Sequence, residues 1–272
     1  MGEMEDFQEA GEQVPEDLER RGLLLRGKGL GTLRRRGIFL LPNLFTTAAL
    51  FSGFFAIVQA MNSRFEQAAI AIFIAMVLDG LDGRVARLTH TQSEFGAQYD
   101  SLSDMVGFGV APALVMYEWA LKDMGKLGWI AAFVYCAGAA LRLARFNVNI
   151  EVVDKRYFQG IPSPAAAALL AGLVWVFDDL GIDRELWLDV IAWMFTMYAG
   201  VTMVTNLPFY SFKEFNLKKA VPFWVMLALV AGLAVVSLRP AVVLFLLCLA
   251  YAVSGYVLWG MGIRVRRSPD VS

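Results

Sequence analysis

Residues 79–104 read DGLDGRVARLTHTQSEFGAQYDSLSD, and this stretch joins two apolar segments of a 272-residue chain. The stretch contains four aspartates: Asp79, Asp82, Asp100 and Asp104. Helical residues three or four positions apart lie on one face, so the first two form one pair and the last two another. The polar connection between the pairs allows the two helices to run antiparallel. The pattern therefore predicts that the four carboxylates converge where two helices meet.

The composition places these helices in a membrane. The chain is 58% apolar and 18% charged, whereas soluble domains average roughly 45–50% apolar and about 25% charged residues. Apolar segments of about 20 residues are typical of membrane-spanning helices. We predict an all-α integral membrane protein with about eight transmembrane helices, at about 38–61, 66–87, 97–120, 127–147, 163–179, 186–206, 219–238 and 240–262. The short Arg239–Pro240 turn leaves a seven-span or re-entrant variant open.

The charge distribution predicts the orientation. If the N-terminus is cytoplasmic, 19 of the 24 Lys and Arg residues fall on cytoplasmic segments and 5 on the other side. Basic residues favour the cytoplasmic side, so we expect a multi-pass protein of the inner membrane with both termini in the cytoplasm. The active site then lies at the cytoplasmic ends of spans two and three.

The predicted domains follow from these patterns. Residues 1–37 form a cytoplasmic tail that is first acidic and then basic, and its segment 20–36 mixes arginines with leucines as a membrane-surface segment does. Residues 38–263 form the transmembrane catalytic domain. Residues 264–272 form a short cytoplasmic tail.

The acidic pairs predict a metal site. Charges within a span are energetically costly and usually functional, and like charges this close take up protons or bind cations. Oxygen ligands favour Mg²⁺ or Mn²⁺, and two such ions would offset four negative charges. Paired metal ions suit phosphoryl transfer. Arg84 and Arg87, in the same stretch, can bind phosphate oxygens.

Two alternatives remain for these residues. In the first, the carboxylates and arginines only pair with each other, although the excess of carboxylates would then lack partners. In the second, the chain is a divalent-cation transporter. Transporters carry polar residues at the membrane midplane, whereas these aspartates cluster at the cytoplasmic end.

The order Asp79-x2-Asp82-Gly83-x2-Ala86-Arg87-x8-Gly96-x3-Asp100-x3-Asp104 resembles the signature of the CDP-alcohol phosphatidyltransferase family. Members of that family transfer a phosphatidyl group from CDP-diacylglycerol to an alcohol and release CMP. The resemblance implies that Asp79, Asp82 and Asp100 are metal ligands. It implies that Asp104 binds a second metal ion and acts as the base, and that Gly83, Ala86 and Arg87 bind the CDP-diacylglycerol diphosphate and nucleotide.

Further segments are similar to the membrane-bound phosphatidylserine synthase branch of that family. They are LPNLFTTAALFSGF, SDMVGFGVAPA, ALRLARFN, FQGIPSPAAA and NLPFYSFK, and the similarity spans roughly residues 38–215. The branch implies L-serine as the acceptor and a homodimer, and we expect no nucleic-acid partner. In span one, Asn43 and Thr46 are candidate contacts for CDP-diacylglycerol, but Ala48 and Ala49 replace the more frequent Gly and Asn.

The acceptor site is predicted at the end of span four. Arg142 and Arg145 lie three residues apart, and Asn147 continues the same polar end. Two fixed cations suit a carboxylate, such as that of serine, or an additional phosphate. Glycerol 3-phosphate and inositol phosphate therefore stay open as acceptors. Alternatively, the two arginines anchor the helix at lipid headgroups.

Overall fold

The computed structural model describes residues 42–89, 91, 93–148, 157–182, 185–211 and 223–262. Both predicted tails, 1–37 and 264–272, lie outside these described residues. Nine α-helices occur in the described part: α1 Pro42–Met61, α2 Phe65–Thr89, α3 Glu94–Asp104, α4 Ala111–Met116, α5 Lys126–Val148, α6 Ser163–Asp179, α7 Leu186–Val204, α8 Phe223–Leu238 and α9 Pro240–Gly260.

The helices agree closely with the predicted spans. Seven of the predicted spans correspond to single helices, and the third, predicted at 97–120, corresponds to α3, α4 and the turns beside them. Four helices, α1, α5, α7 and α9, are long and apolar enough to cross a membrane. The prediction of a helical membrane protein is confirmed, whereas the number of eight spans stays a prediction.

The third span is irregular for a reason visible in its sequence. Two π-helical turns, Met105–Val110 and Tyr117–Leu121, flank α4, and a 3₁₀ turn, Lys122–Met124, follows. Pro112 has no backbone N–H, so the carbonyl of Phe108 cannot receive the usual helical hydrogen bond from it. The buried hydroxyl of Tyr135 on α5 donates to that carbonyl at 2.9 Å instead. The break in α3–α4 is therefore stabilised by a neighbouring helix.

Small residues bring helix backbones into contact. A Cβ atom added to Gly138 of α5 would lie 2.4 Å from the carbonyl oxygen of Gly200 on α7. One added to Gly53 of α1 would lie 2.7 Å from the Cα atom of Gly107, just after α3. Small residues at such crossings are typical of helix packing in membranes, where apolar burial alone does not draw helices together.

The structure also contains strands that an all-α prediction does not include. β1 (Tyr157–Gln159) and β2 (Pro208–Tyr210) form a two-stranded antiparallel ribbon in which Phe158 pairs with Phe209. Gly160 follows β1 with φ +73°, and an added Cβ atom would lie 2.5 Å from a backbone carbonyl oxygen of α7. Strands of three residues beside Gly and Pro carry too little alternation to be predicted from sequence.

Candidate active site

The predicted convergence of the aspartates is observed. α2 carries Asp79 and Asp82, and α3 carries Asp100 and Asp104. One carboxylate oxygen from each of Asp79, Asp82 and Asp100 lies within 4.8 Å of the others. Asp104 lies one turn further along α3, close enough to Asp79 for their carboxyl groups to interact. The helical spacing of the two pairs therefore produces one acidic cluster.

The turn between α2 and α3 is defined by short polar contacts. The backbone N–H of Thr91 donates to the carbonyl of Ala86 at 3.1 Å at the end of α2. Ser93 caps α3, and its hydroxyl accepts a hydrogen bond from the Gly96 N–H at 3.0 Å. A side-chain oxygen at this position satisfies an N–H that has no partner within the helix. The cap fixes where α3 begins and hence which face carries Asp100.

The first helix contacts the acidic cluster from the side. The hydroxyl of Thr46 on α1 donates to Oδ2 of Asp82 at 2.8 Å. The hydroxyl of Ser103 donates to the backbone carbonyl of Thr46 at 3.1 Å. Asp82 is only 5% exposed, so its carboxylate is stabilised by protein groups such as this hydroxyl more than by water.

The donor set of the cluster fits a hard divalent cation. All its side-chain ligands are carboxylates, and oxygen is the ligand that Mg²⁺ and Mn²⁺ prefer. Oδ1 of Asp100 is buried and has no hydrogen-bond partner within the described ranges. A buried carboxylate oxygen without a partner is costly unless a cation binds it. The cluster is thus suited to hold metal, as its sequence predicted.

One face of α2 is open beside the cluster. A Cβ atom added to Gly80 or Gly83 would meet no atom within 4 Å among the residues described. Arg87 is exposed and Ala86 is partly buried. Asn43 of α1 is partly buried and lies beside Gly96 of α3, since a Cβ atom added to Gly96 would be 3.6 Å from its side-chain oxygen. Gly83 and Arg87 therefore border accessible space, whereas Thr46 faces Asp82.

The three predicted acceptor residues have different surroundings. Nη1 of Arg142 donates to the Ser163 hydroxyl at 2.9 Å, and Nε of Arg142 is buried without a partner in the described part of the chain. Arg145 donates to the Val204 carbonyl at 2.7 Å and to the Asn206 side chain at 3.2 Å. Arg145 therefore joins α5 to the end of α7.

Asn147, the third of these residues, contacts α3. Its side-chain nitrogen donates to the Ser101 hydroxyl at 3.0 Å. Because Ser101 follows Asp100 in the chain, this contact joins the end of α5 to the acidic cluster.

Sequence analysis missed the residues that support the site. Ser103 and Ser163 had no individual prediction, and neither did Asn206. All three lie in segments that carried the resemblance, which are SDMVGFGVAPA, FQGIPSPAAA and NLPFYSFK. Their contacts join residues 21 to 61 positions apart in the chain, and no local pattern encodes such pairing.

The fold and the site together define a class. The protein is a helical membrane protein that gathers carboxylates from two adjacent helices into a site suited to divalent cations. The sequence profile of the CDP-alcohol phosphatidyltransferase family matches residues 39–204, which include all four aspartates. The chain belongs to the CDP-alcohol phosphatidyltransferase family.

Relatives with curated names cover most of the chain. A CDP-diacylglycerol–serine O-phosphatidyltransferase of Helicobacter pylori (strain ATCC 700392 / 26695) is 36% identical over 82% of this chain and 92% of its own length. One of Mycobacterium bovis is 33% identical over 80% of this chain and 78% of its own. One of Methanocaldococcus jannaschii is 33% identical over 68% of this chain and 81% of its own.

Proposed function

We propose that this chain transfers the phosphatidyl group of CDP-diacylglycerol to L-serine and releases CMP. The observation that carries the proposal is the meeting of Asp79, Asp82 and Asp100 oxygen atoms within 4.8 Å, in a chain of the CDP-alcohol phosphatidyltransferase family. The choice of serine is supported by the relatives, whose names contain this acceptor.

We assign two divalent ions, Mg²⁺ or Mn²⁺, to the acidic cluster. Asp79, Asp82 and Asp100 would hold one ion, and Asp104 would take part in holding the other. When bound, such ions stabilise negative charge on phosphate oxygens and on the leaving group. The all-oxygen donor set and the buried, unpartnered Oδ1 of Asp100 support this assignment.

Asp104 is our candidate for the general base. The hydroxyl oxygen of serine bonds to the β-phosphorus, which carries diacylglycerol, while the proton of that hydroxyl passes to the Asp104 carboxylate. The bond between this phosphorus and the bridging oxygen breaks, and CMP leaves with the electron pair. Asp104 lies close enough to Arg142 for their charges to interact, which would place the base beside the candidate acceptor site.

The open face of α2 is our candidate for the CDP-diacylglycerol diphosphate. Gly83 leaves room for close approach, and the exposed guanidinium of Arg87 can bind two phosphate oxygens at once. Ala86 keeps the same side small. Asn43, which lies beside Gly96 of α3, stays our candidate contact for the nucleotide.

Among the acceptor residues, Arg142 is the better candidate for binding the serine carboxylate. A guanidinium whose Nε is buried without a partner among the described residues gains most from an anionic ligand. Arg145 already donates to a backbone carbonyl and to Asn206, so we assign it to positioning the turn after α7. Asn147 would position α5 against α3 through Ser101.

We further propose eight spans with both termini in the cytoplasm, an inner-membrane location and a homodimer. In that topology the acidic cluster lies at the cytoplasmic ends of spans two and three. The distribution of Lys and Arg residues supports this orientation. A water-soluble acceptor and a CDP-linked lipid can meet at that boundary.

An acceptor assay with the purified protein tests the proposal. CMP release is measured with CDP-diacylglycerol, Mn²⁺ or Mg²⁺, and serine, glycerol 3-phosphate or inositol phosphate. We expect release with serine, and loss of release on chelation with EDTA followed by recovery when metal is restored. Asp104→Asn is assayed in the same way. Its control is Asp123→Asn, because Asp123 is an exposed carboxylate in the Lys122–Met124 turn.

Two other results of this assay would favour a phosphorylated acceptor or a cation transporter. The unpartnered N–H of Arg142 also suits a phosphate, so CMP release with a phosphorylated acceptor and none with serine would replace serine. No release with any acceptor, together with Mn²⁺ flux in proteoliposomes that is unaffected by CDP-diacylglycerol, would favour the transporter alternative.

A further inference from the structure

Thr46 of α1 is enclosed by protein rather than directed at the open face of the site. Thr46 is 4% exposed, and its hydroxyl lies 2.8 Å from Oδ2 of Asp82. Its neighbour Thr47 is exposed and contacts the Tyr99 hydroxyl at 2.9 Å. Asn43 lies one turn earlier, beside Gly96. Of these α1 residues, Thr46 is therefore the one directed at the acidic cluster.

The Thr46 hydroxyl has one proton and two acceptors within reach. The carbonyl of Pro42 lies at 3.1 Å and the Asp82 carboxylate at 2.8 Å. The hydrogen bond to Asp82 is the stronger of the two, because it is shorter and because Asp82 is negatively charged when it binds a cation. The donation fixes the orientation of the Asp82 carboxylate. Groups that orient metal ligands in this way typically change metal affinity by about 10–100-fold when they are removed.

Thr46 is also bonded to the other helix of the acidic cluster. Its backbone carbonyl accepts a hydrogen bond from Ser103 at 3.1 Å, and Ser103 directly precedes Asp104. Farther along α1, Ser52 donates to the Ala71 carbonyl of α2 at 2.7 Å. α1 is thus bonded to both helices that supply aspartates, and Thr46 contacts both at one point.

We propose that Thr46 is a positioning residue for the cation site: its hydroxyl orients Asp82, and its carbonyl fixes α3 beside it. The inference rests on the cation site of the proposed function, and it differs from the sequence-based expectation that Thr46 contacts CDP-diacylglycerol. It assigns the effect of the hydroxyl to metal affinity and not to affinity for the lipid.

Binding of Mn²⁺ to the purified, substrate-free protein tests this directly. Free Mn²⁺ is measured by its electron paramagnetic resonance signal for the unsubstituted protein, Thr46→Val, Thr46→Ala and Thr46→Ser. Thr196→Val is the matched control, because Thr196 is fully buried and its hydroxyl donates within its own helix, to the Ala192 carbonyl 2.7 Å away. The thermal midpoint of each variant reports whether it is folded.

We expect Thr46→Val and Thr46→Ala to weaken Mn²⁺ binding by roughly 10–100-fold, and Thr46→Ser and Thr196→Val to change it by less than about threefold. The KM for CDP-diacylglycerol at saturating Mn²⁺ should change little in any of them. If Thr46 only filled space, Thr46→Ser would not retain the Mn²⁺ affinity that Thr46→Ala loses.

The inference would be overturned by folded Thr46→Val or Thr46→Ala protein with normal Mn²⁺ affinity, or by Thr46→Ser losing as much affinity as either. Normal Mn²⁺ affinity with a raised KM for CDP-diacylglycerol would instead make Thr46 a nucleotide contact. Absence of Mn²⁺ binding in the unsubstituted protein would overturn the metal assignment itself. The acceptor alcohol is not involved in this measurement, so an error about serine would leave it unaffected.

Discussion

Replacing Gly53 by alanine should disturb the acidic cluster from two helical turns away. The added Cβ atom would lie 2.7 Å from the Cα atom of Gly107, whereas carbon atoms in contact prefer about 3.5–4.0 Å. α1 must therefore move away from the third span by about 0.8 Å at this crossing. The contact is backbone against backbone, so no side-chain rotation can relieve it.

The displacement is large enough to break a hydrogen bond of the site. Thr46 lies seven residues from Gly53, which is about 10 Å along the helix. A rigid movement of α1 by about 0.8 Å would lengthen the Ser103–Thr46 contact from 3.1 Å to about 3.9 Å, beyond hydrogen-bonding range. The lost bond leaves a buried hydroxyl unsatisfied, at a cost of about 1–3 kcal/mol. Overpacking costs a further 1–3 kcal/mol or so.

Thermal unfolding and Mn²⁺ binding of Gly53→Ala measure this effect. A loss of about 3 kcal/mol corresponds to a fall in Tm of roughly 6–12 °C for a chain of this size, and we expect Mn²⁺ affinity to fall by about tenfold. The matched control is Gly232→Ala in α8, where an added Cβ atom meets no described atom within 4 Å. Removing a helical glycine there should be neutral or stabilising by up to about 1 kcal/mol. If the two variants share the same Tm and Mn²⁺ affinity, α1 does not position the site.

Four further predictions concern residues of the site and its surroundings. Asp104→Asn should lower kcat by about 10²–10⁴-fold while CDP-diacylglycerol still binds to a folded protein; turnover near the unsubstituted rate would remove Asp104 as the base. Arg142→Gln should raise the KM for serine by about 10–100-fold, from the loss of a charged hydrogen bond, with little change for the lipid. Arg145→Gln should chiefly lower Tm, because its partners are protein groups. If instead Arg145→Gln raised the KM for serine and Arg142→Gln lowered Tm, Arg145 would bind serine and Arg142 would be structural. Gly160→Ala should lower Tm by more than Gly181→Ala. Both glycines have positive φ, which costs alanine about 1–2 kcal/mol, but of the two only Gly160 would bring its Cβ atom against a described carbonyl oxygen. Equal falls in Tm would contradict this.

The helices and the acidic cluster could be predicted from sequence because both depend on local spacing. Apolar runs set the helix bounds, as in α6, which begins and ends at the predicted residues 163 and 179. The separations of three and four residues within the aspartate pairs place each pair on one helix face. A short polar turn makes the two helices run antiparallel as neighbours, which brings the two pairs together.

The rest of the site depends on contacts between residues far apart in the chain. The donation from Thr46 to Asp82 spans 36 residues, and that from Arg142 to Ser163 spans 21. A hydroxyl in an apolar helix can face nucleotide, lipid or a neighbouring helix, and sequence alone does not distinguish them. The Phe108 carbonyl in the π-helical turn after Asp104 likewise accepts its hydrogen bond from the Tyr135 hydroxyl, 27 residues away.

The energetic balance of the cluster explains why its hydrogen bonds alone cannot sustain it. Two like unit charges about 4 Å apart repel by about 4 kcal/mol at an effective dielectric constant near 20. A typical hydrogen bond contributes a net 0.5–1.5 kcal/mol or so. The donation from Thr46 to Asp82 at 2.8 Å therefore offsets only a fraction of the repulsion among ionised carboxylates whose oxygens lie within 4.8 Å. Protons or bound cations would have to offset the remainder. The hydroxyl of Thr46 then has a narrower role than stabilising the fold: it selects the carboxylate orientation that a cation meets.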